Sequence, residues 1–313
     1  MSQQPNAKLI AAFAAIYFIW GSTYLAIKYA LEAIPPFVMM GTRSLAAGLI
    51  LYLWSRTRGD EKVKKENIIP IVTIGVLFFL VGHGLLAWGQ QKIASGFAAL
   101  LVASEPLWIA VIEAFLVRDD KATSRTIIGL VCGFLGISIL LAPGQKLGAH
   151  DMDFLSAFAI LLGTLSWSLG AVYSRVAKLP KAPALAAGLE LIVGGFLLVA
   201  CGLFMGEGSR LQFEALSLRS ILGLIYLIVF GSVITFTAYV WLLSLTSATR
   251  VATHTYVNPV IAVFLGWAVA GEPLSLQTFV ATSIIVISVY LVLGQKREIS
   301  PRLGPRFIRN VEA

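Results

Sequence analysis

Six carboxylate, guanidinium or imidazole side chains stand inside long apolar stretches of this 313-residue chain: Arg43, His83, Glu105, Glu113, Glu190 and His254. Glu105 is followed directly by Pro106, and Asn258 by Pro259. Proline lacks a backbone donor and disturbs the bond to the carbonyl four residues earlier, here that of Val102 and of Thr255. Two kinked helices, each with a polar side chain beside a freed carbonyl, suit a binding centre; kinks that serve packing alone are the plainer alternative. Glu105 is a carboxylate able to gain and lose a proton, set against a neutral Asn258. His83, flanked by Gly82 and Gly84, reads equally as a proton relay or carboxylate ligand and as a histidine bonded to a neighbouring helix. His254 is four residues into its stretch and is expected at its edge, while Glu113 is expected to be structural. Arg43 and Glu190 are expected to form a structural ion pair, with direct substrate contact as the second reading. Trp20, Tyr24 and Trp167 read either as walls of a cavity for apolar or aromatic solutes or as packing.

The elements that must hold these residues are set by composition. Apolar residues make up 58% of the chain and charged residues 13%, against roughly 45–50% and ~25% in soluble domains. A soluble fold could not cover that much apolar surface with so little charge. A hydrocarbon core of ~30 Å takes about 20 apolar residues per helix. Ten stretches qualify: Leu9–Ile27, Phe37–Ser55, Ile68–Gln91, Ile93–Val117, Thr126–Ala142, Phe154–Ser174, Ala182–Met205, Ser220–Leu243, Val251–Gly271 and Leu274–Gly294. The first is longer than a signal-peptide core and is expected to be retained. Of 24 Lys and Arg residues, 18 fall on the side that carries both termini and 5 on the other, with Arg43 inside a span. The positive-inside rule therefore puts both termini in the cytoplasm. Basic residues confined to short loops and a tail argue for contact with a lipid bilayer and not with nucleic acid. Cys132 and Cys201 lie in apolar stretches and offer neither a disulfide framework nor metal-ligand spacing. No metal site, cofactor site or ATP-binding loop is legible.

An offset of 147 aligns Trp20 with Trp167, Lys28 with Arg175, Pro36 with Pro183, Gly41 with Gly188 and Gly48 with Gly195. An offset of 153 aligns Trp88 with Trp241, Pro106 with Pro259 and Asp119 with Glu272. Each half would hold five spans, an odd number, so the second would enter the membrane inverted. Inverted repeats of this kind recur in secondary transporters, with the substrate near the midplane.

The stretch Trp20-Gly21-Ser22-Thr23-Tyr24, the pair Pro35-Pro36 and Arg43 resemble the EamA family of the drug/metabolite transporter superfamily, as do Tyr256-Val257-Asn258-Pro259 and Gly271-Glu272. The resemblance spans about residues 9–295. It implies two EamA-type halves, a central cavity lined by both, and export of small metabolites or drugs. The chain departs from a symmetric pattern where Glu105 stands at the position equivalent to Asn258. The expected fold is an all-α integral membrane protein, ten transmembrane helices in two inverted five-helix repeats around a central cavity. Residues 1–8 form a cytoplasmic N-terminus, 9–142 the first repeat, 143–153 a periplasmic connector, 154–294 the second repeat and 295–313 a basic cytoplasmic tail. The expected substrate-binding set is Trp20, Tyr24, His83, Glu105, Trp167, Tyr256 and Asn258, with Glu105 and His83 as proton-coupling candidates and Pro106 and Pro259 as kinks. The expected activity is that of a monomeric secondary transporter of a small molecule in the inner membrane, not an enzyme; a lipid-modifying intramembrane enzyme and a passive channel are the alternatives.

Overall fold

The structure, a computed structural model, describes residues 7–116, 124–140, 153–211 and 213–293, and its regular secondary structure among them is entirely helical. Residues 1–6, most of the expected connector and the expected C-terminal tail lie outside the described residues. Among the described residues, seven helical runs are long and apolar enough to cross a bilayer. They are α1 (Ala7–Leu31), α2 (Pro36–Thr57), α3 (Lys65–Gln90) and a run of α4 (Ser95–Val102) with the start of α5 (Glu105–Leu116). After α6 (Ser124–Leu140) come α7 (Phe154–Ser174), α8 (Pro183–Phe204) and α9 (Leu218–Leu245). A single turn, α10 (Ala248–Val251), precedes α11 (His254–Ala270) and α12 (Leu276–Leu293). Over their described residues α6, α11 and α12 are shorter apolar helices, standing where the fifth, ninth and tenth stretches are expected.

Local chemistry fixes the helix ends. Pro36 and Pro183 occupy the first turns of α2 and α8, where a missing donor costs nothing. Asp153 and Ser217 cap α7 and α9 by accepting from the backbone N–H of Ser156 and Ser220. Other caps arrive from distant sequence. Glu207, buried after α8, accepts from the N–H groups of Phe37 (3.3 Å) and Val38 (2.9 Å) at the start of α2. Glu61, after α2, accepts from the N–H groups of Lys181 and Ala182 at the start of α8.

A third carboxylate ties three helices together. Gly271, at φ 65°, ends α11 in the left-handed region and turns Glu272 back over it. Glu272 accepts from Lys28 Nζ (2.8 Å), Ser95 N (2.9 Å), Ser95 Oγ (2.9 Å) and Gly96 N (3.2 Å). Glu272→Ala would leave the first N–H groups of α4 without this acceptor and Lys28 without its partner. We expect a loss of about 3 kcal/mol, read as a lowered midpoint of thermal unfolding in detergent. Lys28→Met should cost only about 1 kcal/mol, because its side chain is 35% exposed. Equal losses would refute the assignment of Glu272 as the centre of the tie.

Helices α2 and α8 run antiparallel, and glycines bring their backbones into contact. A Cβ on Gly41 would stand 2.8 Å from Val199 N and 3.0 Å from Gly195 O; one on Gly48 would stand 2.8 Å from Gly188 O. Small residues at such crossings permit the close approach on which helix association in lipid depends. Helices α6 and α12 make a second close contact, where a Cβ on Gly136 would stand 2.9 Å from Ile285 Cγ1. Near the centre, α1 packs on α9, α3 on α7, and α11 on both α1 and α4.

Among the described residues, three helices contain π-helical stretches: Ala15–Ile19 in α1, Gly75–His83 in α3 and Leu227–Ile234 in α9. Wider turns take carbonyls out of the ordinary i to i+4 ladder, and side chains from the other half of the chain use them. Trp20 Nε1 donates to Gly231 O (3.0 Å) and Ser166 Oγ to Leu77 O (2.9 Å).

Candidate functional site

A central cavity is lined by residues of α1, α2, α3, α4, α5, α7 and α11, and so by both halves of the chain; its volume is about 70 Å³. Its wall includes Trp20, Tyr24, His83, Glu105, Trp167 and Asn258 from the expected set. The side chain of Tyr256 lies outside the described residues. Arg43 and His254 border the cavity as well.

Trp20 and Trp167, equivalent in the repeat, meet edge to face with ring centroids 5.9 Å apart. Trp167 Nε1 donates to Tyr239 Oη (3.0 Å), and His83 stacks on the Trp167 ring at 5.0 Å. Tyr24 presents its backbone carbonyl to Gln90 Nε2 (3.2 Å). The α4–α5 run breaks at Ala103 and Ser104, so Glu105 opens α5 and Pro106 falls in its first turn. Pro259 instead sits inside α11, and the break in that region precedes it, at Ala252 and Thr253. Asn258, with its amide nitrogen turned toward the α1 carbonyls, donates to Tyr17 O (2.7 Å) in the π-helical stretch.

His254 is the residue that the sequence reading misplaced. It is 3% exposed, not at an edge, and its Nε2 stands 3.8 Å from Glu105 Oε2, within ion-pair reach when the imidazole is protonated. Its ring lies 5.1 Å from Trp20 and nearly parallel to Tyr239 at 6.2 Å. One signal could have found it: His254 is one turn before Asn258, on the same helix face. Glu105 Oε1, His83 Nδ1 and His254 Nδ1 are buried and have no hydrogen-bond partner among the described residues. These three side chains give the centre a set of groups that can bind, hold or pass protons beside aromatic faces.

The expected Arg43–Glu190 ion pair is not formed among the described residues. Arg43 Nε donates to Ser232 Oγ (2.8 Å), and both carboxylate oxygens of Glu190 lack a partner. The reason lies in helix geometry. Each residue follows a seam glycine, Gly41 or Gly188, by two positions, a rotation of about 200°, so both side chains point away from the seam where their helices touch. Arg43 reaches the cavity; Glu190 does not line it.

The model of the EamA-like transporter family matches residues 7–142 and again residues 154–294. The chain belongs to the EamA family. This EamA member is 35% identical over 286 residues to the inner membrane transporter YedA of Escherichia coli (strain K12), covering 91% of this chain and 90% of that one. It is 27% identical over 294 residues to the transporter YvbV of Bacillus subtilis (strain 168), covering 93% of each. A crystal structure at 17% identity superposes with a TM-score of 0.67 over 99% of this chain and 100% of the other, so the two share a fold. Family and helices agree: the protein is a membrane transporter of the EamA type.

Proposed function

We propose that the protein is a secondary transporter of the inner membrane that exports a small metabolite or drug by alternating access, coupled to protons through Glu105. The observation that carries this reading is the central cavity shared by both halves, with Glu105 and His254 3.8 Å apart in its wall and Glu105 Oε1 without a partner among the described residues. An ionisable group at depth in a membrane protein is costly and points to a pathway or relay. The helix contacts support two inverted five-span halves. Exchanging the halves turns α1 on α9 into α7 on α3, and returns α2 on α8 and α6 on α12 to themselves. Such exchange symmetry is the plan on which rocking of one half against the other gives alternate access.

Purified protein in liposomes tests the reading. A proton gradient is expected to drive accumulation of a substrate found by comparing metabolite pools in overproducing cells. Rapid equilibration without accumulation would make the protein a channel, and a chemically altered product would make it an enzyme. In the same preparation, a Lys62→Cys variant should label from the cytoplasmic face and Ser209→Cys from the opposite one. Labelling of both from one side would refute the orientation.

A further inference from the structure

Repeat-related positions carry opposite character on the two sides of the Trp20–Trp167 contact. Arg43 and Glu190 are each the eighth residue of a 22-residue helix that begins with proline, and those helices cross antiparallel. At the offset of 153, His83 and Leu86 on α3 correspond to Phe236 and Tyr239 on α9. Arg43, His83 and Leu86 all border the cavity. Their counterparts Glu190, Phe236 and Tyr239 are buried and do not border it. Phe236 stacks on Tyr239 (6.2 Å, 25°) and meets Phe79 edge to face (5.0 Å). The positions around Arg43 thus border the central cavity, while rings cover the repeat-related positions around Glu190; a separate cleft lined by Pro183, Ala186, Val240 and Leu243 opens nearer the start of α8 and the end of α9.

Glu190 does not fit the filled half as a packing residue. Both of its oxygens are buried without a hydrogen-bond partner among the described residues, whereas buried polar groups in folded proteins are nearly always paired. Gly194, one turn further along the same face of α8, lies against Phe79, and a Cβ there would stand 2.6 Å from the ring atom Cδ2. That face, with Glu190 on it, looks onto the aromatic cluster.

We propose that Glu190 is the substrate-binding counterpart of Arg43 in the opposite conformation, and that its ligand is an organic cation, a protonated amine on an apolar body. When the halves exchange shapes, Phe236 and Tyr239 border a cavity as His83 and Leu86 do now, and Glu190 lines it on the cytoplasmic side. A carboxylate beside aromatic faces recognises an ammonium group by charge and by cation–π attraction. In the present conformation the same ligand faces Arg43, which has no carboxylate within ion-pair distance among the described residues. Binding at Glu190 on one side and like-charge repulsion at Arg43 on the other favour capture at the cytoplasmic face and release outside, and the proton gradient supplies the direction. The inference rests on the alternating-access reading of the preceding subsection.

The test uses single-cysteine variants of a chain in which Cys132 and Cys201 are replaced by serine, probed with a membrane-impermeant maleimide in right-side-out and inside-out vesicles. Arg43→Cys is expected to react from the outside and Glu190→Cys from the cytoplasmic side. Arg43→Cys reacting from both sides at once would overturn alternating access itself. One-sided Arg43→Cys with Glu190→Cys inert, or reactive only from outside, would overturn this inference alone. Ala187→Cys, on the same face one turn nearer the start of α8, leaves Glu190 in place and reads the same access if Glu190→Cys does not fold. Phenethylamine is expected to slow Ala187→Cys labelling several-fold, phenylacetate to leave it unchanged, and Glu190→Gln to abolish the protection. Equal protection by the two compounds, or protection surviving Glu190→Gln, would overturn the cationic ligand.

Discussion

Glu105→Gln is expected to bring gradient-driven accumulation down to the level of empty liposomes while exchange of substrate across the membrane continues. The substitution keeps the shape of a side chain that is 2% exposed at the start of α5, and removes only its ability to gain and lose a proton. Its partner across the cavity, His254, remains 3.8 Å away from the same position. A proton carried by Glu105 can link the two orientations of the halves to the gradient; an amide cannot. A brace that is permanently neutral would tolerate glutamine. Accumulation by Glu105→Gln with the pH dependence of the parent protein would therefore remove Glu105 from the coupling step and leave it a structural role.

The second large effect is expected at the α2–α8 seam. A methyl group on Gly48 would stand 2.8 Å from Gly188 O and 2.8 Å from Ile192 N. Both are backbone atoms, so relief requires moving a whole helix and not the end of a side chain. Gly48→Ala should cost about 2–3 kcal/mol and sharply reduce folded protein in the membrane. Gly59→Ala is the comparison. Gly59 also has no side chain, but it lies in a loop at φ 73° with nothing near its Cβ position, and its backbone strain is limited to about 1–2 kcal/mol. Fluorescence size-exclusion profiles and unfolding midpoints of the two variants would separate seam from loop. Similar losses in both would mean that the helices can part without cost.

Much of the central site was legible because lipid simplifies the grammar of the sequence. Uninterrupted apolar runs give the helices, and rare polar interruptions give Glu105, Asn258, His83 and Arg43, all of which reach the cavity. The recurring Trp, Pro and Gly positions carried the pairing of Trp20 with Trp167 and of α2 with α8. What remained hidden depends on direction more than on depth. Distance along the chain put Arg43 and Glu190 within reach of each other, but the seam glycines two residues earlier turn both side chains outward. His254 was assigned to an edge because the apolar run begins at Val251, whereas the chain already enters a helical turn at Ala248 and breaks at Ala252 and Thr253. Phe236 and Tyr239 gave no signal at all, since an aromatic residue in an apolar run looks the same whether it faces lipid or fills the centre.

The crossed carboxylates have a consequence for how the chain is made. The start of α2 is capped by Glu207 and the start of α8 by Glu61. When α2 leaves the ribosome, the residue that completes its first turn is some 170 positions from being synthesised. The first half must therefore wait in the bilayer with backbone donors open to headgroups and water until the second half arrives. Each half then closes the other, and neither is finished alone. Separately translated halves should accumulate only when produced together.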